Sequence, residues 1–560
     1  MKKFFYMAAV ALVALVACKK EETKTPDPDA VTLTSDAVVN VGAESNIVTI
    51  KFNANVSWTA STKDEFIVLN KKSGDAGDAE IKATVANLPE EELGRAGKVS
   101  ITAGTASADV VLYQGKVFIV SDDVELGVAG GTAEFTVITN LEYTMKKYDG
   151  ADEAFPWAPV TFDKATGKGS MAVAANAGYD ARFAYVKFTV PAIQVPVYDD
   201  EGEDTGETQD AVYRFYVYQE GNSSIMWATS LTEEFNVGDG ATASVALFGG
   251  KLLVSDAVKV SVVNPATGVF EGTAELGDLP VQSITSDDAG NLLVANLGPY
   301  GGLFDVYAIA SSDVNSNNPN PVHLIHCVIE AWNGSTGVDK VAARGDVFKD
   351  GIVTAMYGGV PDSGGVHYGL YWTISGGKAA ESSYNEWNPV VNVPTGGWFQ
   401  LPLGGDNLWL SNRAAFIPAG PAASDGFFFG GYDGSYNVNY YNGTDWSVAI
   451  PEAGNWGGGP QGMGTTTWNG KKILAFIQMG YTWWSEGWGM PAYLWVADVT
   501  DPANPEILSC AEYSNPDQTI SGDTENSTVD VIPTVESNDL VVYLVDTSKG
   551  IMAKVKYPKL

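Results

Sequence analysis

The chain has 560 residues, 45% of them hydrophobic and 18% charged, which excludes a disordered polymer and leaves room for three or four folded domains. A formal net charge of −35 repels phosphate backbones, so no nucleic acid is expected as a partner; anionic lipid and, without a local basic pocket, sulfated or uronate-rich polymers are disfavoured, and neutral ligands meet no such barrier. The 61 glycines and 11% aromatic residues suit many short strands joined by tight turns.

Residues 1–17 read as an export signal. Lys2 and Lys3 precede an uncharged apolar run from Phe4 to Ala14, too short to cross a bilayer, which needs about 20 such residues. Leu15-Val16-Ala17-Cys18 resembles the lipobox of bacterial lipoproteins. The resemblance implies cleavage before Cys18 and a diacylglycerol on its thiol. Residues 18–30, with Lys19-Lys20-Glu21-Glu22, Pro26 and Pro28, read as an extended polar tether. Lysine followed by two acidic residues just after the cysteine resembles the surface-export signal of Bacteroidetes lipoproteins. It implies an outer-membrane, lipid-anchored protein facing the cell exterior. No second apolar stretch is long enough to span, so lipid on Cys18 is the expected membrane attachment.

Residues 31–116 and 117–222 resemble each other. Asn55-Val56-Ser57-Trp58-Thr59 aligns with Asn140-Leu141-Glu142-Tyr143-Thr144, the strand led by Arg95 with the strand led by Arg182, and Tyr113-Gln114-Gly115 with Tyr218-Gln219-Glu220-Gly221. The order is kept, and the offset grows only where the second segment carries the acidic stretch Asp199 to Asp210, so this is a duplicated domain with one insertion. Period-two alternation such as Val48-Ile50-Phe52 gives antiparallel strands and, at this size, an immunoglobulin-like sandwich with Trp58 and Tyr143 as core plugs. The ordered motifs resemble BACON-type domains, Ig-like modules of Bacteroidetes surface proteins; the resemblance implies carbohydrate binding or a spacer role, and the lack of an aromatic cluster in either segment selects the spacer. The acidic stretch clusters carboxylates of the kind calcium takes, and whether it binds calcium stays open; without EF-hand spacing the preferred reading is a solvated hairpin tip.

From residue 223 to 560 the texture changes. A polar turn, a buried strand, a loop and another strand recur in six units, which open at Gly249, Asp288, Asp350, Asp425, Asn469 and Asn538. The spacing predicts a β-propeller of about six blades, with Trp227 to Phe235 supplying a strand that closes the ring with the C-terminus. The expected fold is therefore all-β, two Ig-like sandwiches followed by a propeller.

Chemistry is sparse. His323 and His326 lie in one strand, where an i, i+3 pair points to opposite faces, and His367 stands apart; no metal site is expected. No nucleophile elbow, P-loop or dinucleotide fingerprint is present, so no cofactor is expected. Asp346, Asp406 and Glu486 lie near turns, and nothing in the sequence pairs them as acid and base. Cys327 and Cys510 sit in apolar runs and read as small buried hydrophobes; whether they pair stays open.

The stronger signal is aromatic. The loop from Gly480 to Gly489 carries Tyr481, Trp483, Trp484, Glu486 and Trp488 without strand alternation, and corresponding loops carry Tyr300, Tyr357, Tyr432 and Tyr436. If the units are blades, these loops open on one face. Flat pyranose C–H faces pack on aromatic planes while flanking carboxylates and amides accept from hydroxyls. The expected function is non-catalytic capture of a neutral glycan or polysaccharide, with the Ig-like domains as a stalk. The layout resembles Bacteroidetes surface glycan-binding lipoproteins, which implies work beside outer-membrane uptake proteins. Two alternatives stand: a glycosidase or lyase, which requires a carboxylate pair at the propeller centre, and a protein-binding adhesin or scaffold.

Overall fold

The computed structural model describes residues 28–148, 155–198, 204–231, 242–296, 303–314, 319–328, 335–359, 368–379, 396–400, 415–430, 437–451, 453, 460–478, 492–513 and 528–560. They are all-β apart from short 3-10 turns. The chain divides into two compact units. One comprises Met1–Val124, Thr132–Ala172 and Ala184–Val217; the other comprises Glu125–Gly131, Val173–Phe183 and Tyr218–Leu560.

The first N-terminal domain encloses one core between two sheets. One sheet runs Val31–Leu33, Asn46–Ala54, Gly77–Val85, Ile67–Leu69; the other runs Val38–Val41, Ala106–Gly115, Gly94–Ala103, Trp58–Ser61, Ser73–Gly74. Strict alternation puts Val48, Ile50, Phe52 and Ala54 inward from a single strand, as the period of two requires. Trp58 is buried at the centre, edge-on to Phe52 at 4.9 Å. The second domain repeats the strand order: Phe118–Val120, Gly131–Thr139, Lys168–Val173, Val160–Asp163 in one sheet, and Val124–Leu126, Asp204–Gln219, Arg182–Tyr198, Thr144–Tyr148 in the other. Tyr143 lies among Phe118, Phe162 and Phe188. The acidic insertion extends two long neighbouring strands, and Asp204 to Asp210 are exposed throughout.

Among the described residues the C-terminal region forms six antiparallel sheets. Sheet I is Ser244–Phe248, Lys251–Ser255, Val260–Val263, Phe270–Thr273. Sheet II is Ser283–Ser286, Leu292–Ala295, Leu303–Ile309, Val322–Val328. Sheet III is Ser335–Gly345, Asp350–Gly359, Tyr368–Ser375, with Lys378–Ala379 and Gly396–Gln400 both on the third strand. Sheet IV is Ala415–Pro418, Phe427–Gly430, Val438–Tyr441, Trp446–Ile450. Sheet V is Pro460–Trp468, Lys471–Gln478, Tyr493–Asp498, Glu506–Glu512. Sheet VI is Val529–Glu536, Asp539–Asp546, Ile551–Tyr557, and its fourth strand is Ser224–Ser230 from the start of the region. The strand expected from Trp227 to Phe235 thus pairs with the C-terminal strand as Ser224–Ser230, and residues 232–235 lie outside the described residues.

The first strand of each sheet lies against the first strand of the next, and that of sheet VI lies against that of sheet I. Each of the six junctions buries its own apolar cluster. A side-chain latch recurs between first strands. Ser244 Oγ accepts from Ile284 N–H at 2.8 Å, Ser283 Oγ from Val341 N–H at 3.0 Å, and Asp530 Oδ2 from Val245 N–H at 2.9 Å. These bonds satisfy backbone donors that no strand partner reaches.

Candidate functional site

The first strands enclose a polar centre. Lys340, on sheet III, donates to the Met463 carbonyl of sheet V at 2.9 Å and to the Asp530 carboxylate of sheet VI. Asp530 is 1% exposed. Burial pushes its carboxyl above the ordinary 3.8, and the Lys340 ammonium opposes that rise. Arg344 pairs with Asp288 at 2.8 Å and donates to Thr465 Oγ1 at 2.7 Å; Thr465 in turn donates to Pro418 O. The cavity among these groups measures about 40 Å³ and is lined by Lys340, Arg344, Thr465 and Ser286 among others. That volume holds water and is far below the roughly 300 Å³ at which ligand pockets begin. The two carboxylates described here, Asp530 and Asp288, each face a cation.

The aromatic residues singled out from sequence lie in the connections between second and third strands. Tyr300 falls in residues 296–302 of sheet II, Tyr432 and Tyr436 in 431–437 of sheet IV, and Tyr481, Trp483, Trp484, Glu486 and Trp488 in 479–492 of sheet V. All of these side chains lie outside the described residues, as do Cys18, Asp406, Trp409 and His367. Tyr357 is placed by its backbone near the end of the second strand of sheet III, opposite Tyr368. Of the other tryptophans, Trp372 and Trp468 are buried, and Trp495 stacks on Phe476 and donates to Gln478 Oε1 at 3.1 Å. Trp446 is 47% exposed on the fourth strand of sheet IV.

Asp346 is a turn residue: its carboxylate meets Lys349 at 2.8 Å and accepts from Phe348 N–H and Asn291. The Lys349 contact holds its carboxyl below the ordinary range. Cys510 is a free thiol.

The expectation for the histidines needs correction. His323 and His326 share a face. Asp305 pairs with His326 and Val306 with Ile325, but Tyr307 pairs with His323, so Leu324 is skipped. This bulge turns both Leu324 and Ile325 into the core and brings the two imidazoles to one exposed side. His323 Nε2 lies 2.7 Å and His326 Nδ1 2.6 Å from the same oxygen, Asp305 Oδ1. The period-two rule failed because it assumes an unbroken ladder, and no residue in Val322–Val328 signals the extra one.

Residues 236–555, more than half the chain, match the family model described as a domain of unknown function, DUF8500, and the chain belongs to that family. No curated protein matches. Among solved structures, the chain is similar to the N-terminal domain of Nup159 at 10% identity over 60% of this chain and 95% of that one, with a TM-score of 0.27. A titin Ig tandem, A164-A165, aligns at 8% identity over 34% of this chain and 98% of that one, with a TM-score of 0.16. A Bacteroides ovatus GH5 xyloglucanase in complex with a XXXG heptasaccharide aligns at 14% identity over 18% of this chain, with a TM-score of 0.15; the chain spans 27% of its length.

Proposed function

We propose that the protein is a surface lipoprotein that captures a neutral glycan without catalysis. In this reading the region from 223 is a six-bladed β-propeller closed by Ser224–Ser230, and the duplicated domains are BACON-type Ig-like stalk modules. Lipid on Cys18 holds the chain at the outer membrane, facing outward, beside uptake proteins.

One observation carries the glycan assignment. The connections between second and third strands are tight in sheets I and VI, residues 256–259 and 547–550, where Asp256 and Asp546 cap them. In the four consecutive sheets II to V they lengthen to 296–302, 360–367, 431–437 and 479–492, and three of these carry the aromatic set. In a propeller all such connections emerge on one face. An arc of tyrosines and tryptophans would then form a continuous sugar-stacking platform with Glu486 and Asp433 beside it. Affinity electrophoresis of the full chain through gels containing neutral or uronate-rich polysaccharides tests the reading. Retardation by a neutral polymer is expected. Release of reducing ends would move the protein to the enzyme class, and silence across a broad panel would favour a protein partner.

A further inference from the structure

On sheet II three side chains converge with no role in that reading. Asp305 stands on the third strand, and His323 and His326 on the fourth. Their ligand atoms all lie within 4.8 Å of one another, and theirs is the one such group among the described residues. Both imidazole nitrogens aim at a single carboxylate oxygen, which then receives two donors while its neighbour receives neither. We propose that Asp305, His323 and His326 form a site for one divalent transition cation of the zinc class, with at least one coordination position open to solvent.

The local structure prepares the three groups. The bulge at Leu324 is what places the two histidines together, and it is anchored by burial of Leu324 and Ile325. Asp305 is fixed by its backbone N–H, which donates to Asn296 Oδ1 at 2.7 Å, and its side chain is only 18% exposed. The ring of His323 stacks on Tyr307 at 4.3 Å with 10° between planes, so its orientation is set before any ligand arrives. The two rings stand 5.0 Å apart at 70°, which directs their nitrogens inward and keeps their carbons from clashing.

The donor set decides the ion. Two imidazoles and one carboxylate suit zinc and its first-row neighbours, whereas calcium and magnesium require mostly oxygen ligands. At metal–nitrogen distances of about 2.0–2.1 Å, tetrahedral ligands stand roughly 3.3 Å apart. The present 2.6 and 2.7 Å separations reach that by a small rotation of the Asp305 carboxylate. Three protein ligands leave a fourth position, and the exposure of His323 and His326, 39% and 56% at the side chain, keeps it in contact with solvent.

The test is titration of the full chain with Zn²⁺ against a chromophoric chelator, repeated with Co²⁺ to read visible d–d absorption. One equivalent is expected to bind saturably, with Ca²⁺ and Mg²⁺ failing to compete. His323→Ala/His326→Ala should weaken that binding by more than about 100-fold and abolish the cobalt spectrum, because even outer partners of ligands are worth 10- to 100-fold. Asp305→Asn, which keeps the shape and an acceptor oxygen, should weaken it with unchanged circular dichroism and so separates ligation from folding. Absence of saturable Zn²⁺ binding, or equal binding by the variants, overturns the site.

Discussion

Arg95 donates through Nε to Gln114 Oε1 at 2.8 Å, and Arg182 repeats this bond to Gln219 at the same distance. The likeness extends outward. Arg95 Nη2 reaches the carbonyls of Ala86 and Asn87, and Arg182 Nη2 those of Ala174 and Ala175. Gln114 Nε2 donates to Gly42, Ala43 and Ala86, and Gln219 Nε2 to Val128 and Ala174. Both glutamines are fully buried. Each is a cross-brace that satisfies loop carbonyls which neither sheet can reach.

That brace predicts an asymmetric response. Gln114→Leu strands the carbonyls and the arginine together and should cost about 1–3 kcal/mol of first-domain stability by denaturant titration. Gln114→Glu replaces the donor with an acceptor facing three carbonyls and should cost more, despite equal size. Equal losses would mean that volume rather than hydrogen bonding matters there.

Lys340 and Asp530 make a second prediction. Lys340→Met leaves the buried Asp530 carboxylate without its cation and should destabilise the C-terminal region by about 3–5 kcal/mol. Adding Asp530→Asn to Lys340→Met should recover much of that loss, since the amide keeps an acceptor for Val245 N–H and carries no charge. A calorimetric melt of the three chains reads this directly.

Cys510 should be inert near neutrality. Burial, with Asp180 beside it, pushes its thiol up to about 11. Alkylation at pH 8, followed by peptide mapping, should run about 100-fold slower than for a cysteine of ordinary 9.0 and rise tenfold per unit toward pH 11. Burial is the larger cause, so Asp180→Asn should restore only part of the rate. Fast labelling at pH 8 would contradict the packing of Cys510.

How much was legible follows from burial. In every C-terminal sheet the two strands read from sequence are the second and third: Leu252–Val254 with Val260–Val263, Phe427–Phe429 with Val438–Tyr441, Ile473–Ala475 with Tyr493–Asp498. These lie between two neighbouring sheets and read as apolar runs. The first strands escaped because they face the polar centre and carry residues such as Ser283, Thr465 and Asp530, and the fourth because an outer edge such as Phe270–Thr273 is half in solvent. The duplication was legible because the brace uses the same residue types at matching places, Arg95 with Gln114 and Arg182 with Gln219. The His323–His326 pairing was not, because one extra residue in a strand leaves no mark in composition.

Lys340, Arg344 and Asp530 were missed as a group for another reason. Their strands are separated by long stretches of chain, 190 residues between Lys340 and Asp530, and only ring closure brings them together. No local pattern carries that.

The most direct measurement of the capture reading compares retardation of the full chain and of Trp483→Ala/Trp484→Ala in gels containing a neutral polysaccharide that the parent binds. The account predicts that the parent is retarded, that the variant runs as in a sugar-free gel, and that both unfold at the same temperature. Equal retardation of a folded variant would contradict an aromatic platform on that connection.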